Sequence, residues 1–87
     1  MKSVHLIISG QVQGVGFRSW MKHQADILKL TGWVKNRPDG AVEAIVSGQE
    51  SSVNKLVTVC REGAPGSVVN SLTVASISNK ECFSEFF

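Results

Sequence analysis

The chain has 87 residues, of which 43% are hydrophobic and 18% are charged, and its formal net charge is +2. This length accommodates one domain, residues 1–87, and the composition is that of a globular protein and not of a disordered one. The small net charge argues against nucleic-acid binding, which usually needs a clustered basic face. No apolar run reaches the roughly 18 residues of a membrane-spanning helix, and the N-terminal one is too short for a signal peptide. We therefore expect a cytoplasmic protein without a membrane partner.

The first third of the chain changes from a strand pattern to a helix pattern. Apolar residues alternate with their neighbours at positions 4, 6 and 8, which predicts a strand with one buried face. A glycine-rich loop follows over residues 11–17. From residue 18 to about residue 30, apolar residues recur every three or four positions, which predicts an amphipathic helix. Gly32 is expected to lie near the C-terminal end of that helix.

The middle of the chain reads as a hairpin. Residues 32–37 predict a second strand, and residues 41–47 predict the strand that returns alongside it. The segment Pro38-Asp39-Gly40 between them has the residue types of a tight turn.

A helix and a strand are predicted for the rest of the chain. Apolar residues at helical spacing between positions 50 and about 61 predict the helix, and Cys60 lies on its apolar face. Residues 69–78 are rich in Val, Ser and Thr, which predicts the strand. The phenylalanines at positions 83, 86 and 87 indicate a short last strand or a packed tail. In the expected compartment Cys60 and Cys82 are expected as thiols, although their spacing leaves a disulfide open.

The order β-α-β-β-α-β predicts an α+β fold, the ferredoxin-like sandwich of two helices on one face of an antiparallel sheet of four or five strands. In this topology the third strand lies between the first two, whose C-terminal ends meet at one edge of the sheet. Arg18 follows the first strand. Asn36 lies near the end of the second strand, on the same face as the core residue Val34. We expect the glycine loop, Arg18 and Asn36 to converge on one pocket.

These groups have the chemistry of an oxyanion site. Gly14 and Gly16 permit positive φ, which turns backbone N–H groups inward, and the N-terminus of the following helix favours an anion. Arg18 supplies a planar, charged fork that matches a phosphate or a carboxylate. Asn36 offers one acceptor and one donor, which can position a water without acting as a strong base.

The absence of other groups narrows the reaction. We find no cluster of carboxylates or histidines in the sequence for a metal or for acid–base work, so no metal and no other cofactor is expected. A leaving group that departs without a proton suits such a site, as in a carboxyl-phosphate mixed anhydride. Positioning and charge stabilisation carry most of phosphoryl transfer in any case.

The run Gly10-Gln-Val-Gln-Gly-Val-Gly-Phe-Arg18, followed by Gly32-Trp-Val-Lys-Asn36 and Asp39-Gly40, strongly resembles acylphosphatase over nearly the whole chain. The resemblance implies metal-independent hydrolysis of small acyl phosphates to a carboxylate and phosphate. It also implies that Asn36 orients the water and that Arg18 binds the phosphoryl group. The implied phosphate-binding residues are Gln13, Gly14, Val15, Gly16, Phe17 and Arg18.

Two other interpretations stay open. A non-catalytic module of the same fold would hold an anionic ligand or stack single-stranded RNA on its sheet. The first and third strands are expected to expose no aromatic residue, however, and Trp33 alone is insufficient for stacking. The fold also occurs as the leading domain of larger carbamoyl-transfer maturation enzymes, whereas the length of this chain favours a stand-alone protein. We expect a monomer whose partner is a small-molecule acyl phosphate and not a nucleic acid.

Overall fold

Six secondary-structure elements follow one another in the order that the sequence predicts. The computed structural model describes residues 1–77 and Phe86. Neither helix in this part of the chain has the length and apolar character needed to cross a membrane. The elements are β1 (Lys2–Gln11), α1 (Phe17–Ile27), β2 (Thr31–Asn36), β3 (Val42–Gly48), α2 (Glu50–Glu62) and β4 (Val68–Ser76).

The four strands form one sheet in the order β2-β3-β1-β4, and every neighbouring pair is antiparallel. Because β1 and β2 are both antiparallel to β3, they run in the same direction and their C-terminal ends lie at the same edge. Val42 of β3 pairs with Ile8 of β1 on one side and with Asn36 of β2 on the other. The ends of β1 and β2 are therefore level with each other, and the predicted ferredoxin-like topology is confirmed.

The core lies between the sheet and the two helices. Alternate residues of β1 are buried against the helices, as the period-two pattern predicts. Each helix contributes residues spaced by three or four positions, so that one stripe faces the sheet. The buried residues of these three elements are Val4, Leu6, Ile8, Phe17, Met21, Ala25, Val53, Leu56 and Cys60.

Cys60 is a buried thiol in α2. Its burial raises the pKa of the thiol to about 12, because the apolar core cannot solvate a thiolate. The side chain therefore acts as a small core residue at neutral pH. Cys82, the second cysteine, lies outside the described residues.

The first helix ends earlier than its apolar pattern predicts. α1 ends at Ile27, and Lys29 adopts a left-handed conformation with φ of 58°. The N–H of Leu30 then donates to the carbonyl oxygen of Ala25 at 2.9 Å, which closes the helix in the way that a glycine usually permits. Because a lysine takes this conformation, the sequence contains no local signal for it.

Gly32 lies inside β2 and does not terminate the helix. A Cβ atom at this position would lie 1.9 Å from the carbonyl oxygen of Ile45, so only glycine permits the close approach of β3. Gly32 also forms a single parallel bridge with Phe86, which is buried. Phe83 and Phe87, which complete the predicted last strand or tail, lie outside the described residues.

Candidate active site

A cavity of about 250 Å³ opens at the edge of the sheet where β1 and β2 end. The loop after β1, the first turn of α1 and the last residue of β2 all contribute to its wall. The structure thus brings together the three segments that topology alone places at this edge. The lining residues are Val12, Gly14, Gly16, Phe17, Arg18, Ser19 and Asn36.

The first turn of α1 presents unpaired backbone donors to the cavity. Gly14 and Gly16 have φ of 75° and 76°, in the left-handed region that glycine adopts without strain. Gly16 is the N-cap of α1, no side chain caps the helix, and its first turn contains no acidic residue. The first intrahelical bond runs from the N–H of Trp20 to Gly16, so the N–H groups of residues 17–19 have no partner within the helix. All three residues line the cavity, where their N–H groups favour an anion.

Arg18 adds a full positive charge at the same place. Its side chain is exposed and forms no ion pair with any residue of 1–77 or with Phe86. A cation at the N-terminus of a helix lies unfavourably in the helix dipole. A bound anion would offset this repulsion, which makes Arg18 more typical of a ligand site than of a structural contact.

Asn36, the last residue of β2, also lines the cavity. Its backbone is held in the sheet by pairing with Val42, and its side chain is exposed. Within the described part of the chain, its side-chain amide makes no hydrogen bond. Both the oxygen and the nitrogen of this amide are therefore free to bind a ligand or a water.

Gln13 and Val15 do not line the cavity, although both lie in the loop. The side-chain nitrogen of Gln13 donates to the carbonyl oxygen of Arg37 at 2.8 Å and to that of Ala41 at 2.9 Å. These carbonyls flank the turn between β2 and β3, so Gln13 joins the loop to that turn. The sequence shows no signal for this contact, because it depends on two segments at least 24 residues apart.

The turn after Asn36 is fixed by its own polar contacts. The carboxylate of Asp39 accepts a hydrogen bond from the N–H of Ala41 at 3.0 Å and lies 3.2 Å from the guanidinium of Arg37. The N–H of Ala41 lowers the pKa of Asp39 most, and the charge of Arg37 lowers it further. Asp39 is thus ionised at neutral pH and shapes the turn that receives Gln13.

A second depression adjoins the cavity between α1 and β2. It has a volume of about 240 Å³ and is lined by Arg18, Ser19, Lys22 and Val34. The sequence patterns alone indicate neither Lys22 nor Val34 as a site residue. Their spacing from Arg18 and Asn36 could have indicated them. Lys22 follows Arg18 by one helical turn, and Val34 precedes Asn36 by two strand positions.

The open face of the sheet carries a separate polar cluster. The ring of His5 lies 2.6 Å from the carboxylate of Glu43, whose other oxygen lies 3.7 Å from the ammonium of Lys35. The hydrogen bond from His5 is the main influence that lowers the pKa of Glu43. Lys35 also lies 5.1 Å from the ring centre of Trp33. The indole and this ammonium form a cation–π contact.

Comparisons with known proteins agree with this geometry. The Acylphosphatase family model matches residues 4–87. The acylphosphatase of Caldivirga maquilingensis is 46% identical over 84 residues, which are 95% of this chain and 88% of that protein. The crystal structure of acylphosphatase from Bacillus subtilis matches with a TM-score of 0.94 and 40% identity, over 99% of this chain and 96% of that one. HypF from T. kodakarensis matches with a TM-score of 0.86 and 28% identity, over 99% of this chain but 11% of its own. The chain belongs to the acylphosphatase family.

Proposed function

We propose that the protein hydrolyses small acyl phosphates to a carboxylate and inorganic phosphate, and that it does so without a metal ion. As a member of the acylphosphatase family it is a hydrolase that acts on acid anhydrides. The observation that carries the mechanism is the cavity at the sheet edge, where unpaired N–H groups of α1, Arg18 and Asn36 face the same space.

The N–H groups of residues 17–19 and the guanidinium of Arg18 bind the phosphoryl oxygens. A planar guanidinium forms two parallel hydrogen bonds to such a group, and these bonds are strengthened by charge. The same donors stabilise the negative charge on the phosphoryl oxygens in the transition state, and they are already in position before the reaction starts.

Asn36 holds the attacking water. Its amide oxygen accepts a hydrogen bond from the water and directs the water oxygen at phosphorus, opposite the acyl oxygen. The new P–O bond forms as the bond to the acyl oxygen breaks, the carboxylate leaves with the electron pair, and the proton of the water passes to phosphate or solvent. Because a carboxylate leaves without protonation, no general acid is required.

The lining of the cavity supports a metal-independent reaction. The described residues that form it include no carboxylate, imidazole or thiol, so the positive charge that the reaction needs comes from Arg18 and the backbone donors. The same lining offers no general acid to protonate the alkoxide or phenoxide that leaves a phosphate monoester. Alkyl and phenyl phosphate monoesters should therefore be poor substrates.

The decisive experiment is hydrolysis of benzoyl phosphate in the presence of excess EDTA, with phenyl phosphate as the matched monoester. We expect full turnover of benzoyl phosphate and much slower turnover of phenyl phosphate. Loss of turnover in EDTA, restored by added Mg²⁺, would contradict metal independence. Absence of benzoyl phosphate turnover both in EDTA and with added Mg²⁺ would favour the alternative of a non-catalytic module that only binds an anion.

We further propose that residues 1–87 act as one domain and as a monomer in the cytoplasm, and that they bind no nucleic acid. The open face of the central strands β1 and β3 carries His5, Ile7, Glu43 and Ile45 but no phenylalanine or tryptophan, which supports the lack of an RNA-stacking surface. Light scattering at micromolar protein tests whether the protein is a monomer. An RNA gel shift that weakens with added salt would contradict the proposal that the protein binds no nucleic acid.

A further inference from the structure

The groove between α1 and β2 extends directly from the cavity. It shares Arg18 and Ser19 with the cavity, whereas Lys22 and Val34 belong to the groove alone. A substrate whose phosphoryl group is bound at Arg18 therefore has this groove beside it for the rest of the molecule. The residues of the groove decide which acyl groups fit there.

Lys22 and Val34 face each other across this groove. Lys22 lies one turn beyond Arg18 on the same face of α1, about 6 Å further along the helix axis. Val34 lies two positions before Asn36 on the same face of β2, about 7 Å back along the strand. Because α1 leads away from the cavity and β2 leads towards it, both steps go in the same direction.

The two residues combine an apolar surface with an unpaired charge. Val34 is partly buried and packs against the core, which gives the groove an apolar floor. Lys22 is exposed and forms no ion pair with any residue of the described ranges, including Asp26 one turn further on. A carbon chain lying on Val34 would thus bring a group at its far end close to a free ammonium.

The groove is also separated from the position of the water. Asn36 lines the cavity but not the groove. An acyl group in the groove therefore leaves the amide of Asn36 free to hold the water. In-line displacement needs such a separation between the nucleophile and the leaving group.

We propose that the protein prefers acyl phosphates whose acyl part carries a second negative charge. Lys22 binds that charge and Val34 packs against the carbon atoms between it and the anhydride. This inference rests on the proposed function, and it makes Lys22 a specificity-determining residue that does not contact the reacting atoms.

The test compares benzoyl phosphate with its 3-carboxy and 4-carboxy derivatives, which place a second charge on the same ring. The measured quantity is the ratio of kcat/KM for each carboxylated substrate to kcat/KM for benzoyl phosphate. We expect Lys22→Gln to lower this ratio about two- to fivefold for at least one isomer, mainly through KM, as for an exposed ion pair. Lys22→Arg should keep the ratio of the natural chain, and added salt should lower it.

Lys55→Gln is the matched control, because Lys55 is exposed on α2 and lines neither the cavity nor the groove. It removes the same charge and should leave the ratio unchanged. Equal ratios in the natural chain and in Lys22→Gln would overturn the inference, as would an equal drop in both glutamine variants. In either case turnover of benzoyl phosphate leaves the proposed function standing, whereas no turnover of any of the three substrates contradicts the proposed function itself.

Discussion

The side-chain amide of Gln13 lies 2.8 Å from the carbonyl oxygen of Arg37 and donates a hydrogen bond to it. A second bond from the same nitrogen reaches the carbonyl oxygen of Ala41 at 2.9 Å. Gln13 lies in the loop that precedes Arg18, and Arg37 follows Asn36 directly. One side chain thus links the two segments that carry the proposed phosphate-binding and water-orienting residues.

Gln13→Ala should reduce activity while the protein stays folded. Both carbonyls keep a backbone partner, since the N–H of Gly40 donates to Arg37 and the N–H of Arg37 donates to Ala41. The free energy of unfolding should therefore fall by only about 1–2 kcal/mol. The loop loses its link to the turn, so kcat/KM for benzoyl phosphate should fall about tenfold. Gln11→Ala is the control, and equal activity of the two variants would show that Gln13 does not position the loop.

Arg18→Ala should change activity and stability in opposite directions. Loss of the guanidinium should lower kcat/KM by about 100-fold or more, because a principal stabiliser of the transition state is removed. Without ligand, removal of a cation from the N-terminus of α1 should raise the free energy of unfolding by about 0.3–1 kcal/mol. Enzyme kinetics and urea unfolding measure the two quantities.

Arg61→Ala serves as the matched control for Arg18, because Arg61 lies in the last turn of α2, where a cation is favourable. This variant should keep its activity and lose a few tenths of a kcal/mol in stability. If Arg18→Ala were less stable than the natural chain, Arg18 would have a structural role that the present contacts do not include.

Asn36→Ala should lower kcat much more than it raises KM. The phosphoryl group keeps its donors in α1, so binding persists, while the water loses the group that orients it. Asn36→Asp should be at least as slow, since a carboxylate repels the anionic substrate. Asn70→Ala, at an exposed position of β4, controls for loss of an amide. A large rise in KM at unchanged kcat would instead assign Asn36 to substrate binding.

Glu43→Gln should destabilise the protein at neutral pH but not in acid. The hydrogen bond from His5 holds the pKa of Glu43 below its usual value near 4.5 in the folded state. The resulting stability is present above about pH 4.5 and is lost as the pH falls through the lowered pKa. Urea unfolding between pH 2 and pH 7 should show the difference between the two proteins shrinking below pH 4.5.

The partner of Glu43 is tested by repeating the substitution in a His5→Ala background. Glu43→Gln should then cost less stability, because the hydrogen bond from His5 to the carboxylate, which this substitution weakens, is already absent. A difference between Glu43→Gln and the natural chain that stays constant over the whole pH range would contradict the assigned pair.

Much of the fold follows from sequence periodicity, whereas its contacts between distant residues do not. The alternation in β1 and the order of elements suffice to place Arg18 and Asn36 at one edge of the sheet. The pair of His5 and Glu43 depends on the register between β1 and β3, which no local pattern specifies. The end of α1 depends on Lys29 in a left-handed conformation, against the intrinsic preference of lysine.

The site itself was predictable as a meeting of segments but not as a set of contacts. Gly14, Gly16, Phe17 and Arg18 line the cavity, and their residue types indicate why. Gln13 belongs to the same motif, but its side chain donates a hydrogen bond to the turn between β2 and β3. Only the register of these two strands reveals that contact. The groove at Lys22 needs the packing of α1 on β2, which lies beyond any pattern within one element.

The pairing of Val42 with both Ile8 and Asn36 sets the spacing between β1 and β2, the strands that lead into the candidate site. The loop after β1 and the last residue of β2 both line the cavity, and β3 lies between the two strands and holds them apart. Two inter-strand steps span about 10 Å, a distance that backbone hydrogen bonds impose and that side chains hardly alter. Apolar residues beneath the sheet can therefore be exchanged for others of similar volume while the spacing between these two strands is kept. The main chain thus fixes the distance between β1 and β2 at the candidate site, and substitutions in the core can accumulate without changing that distance.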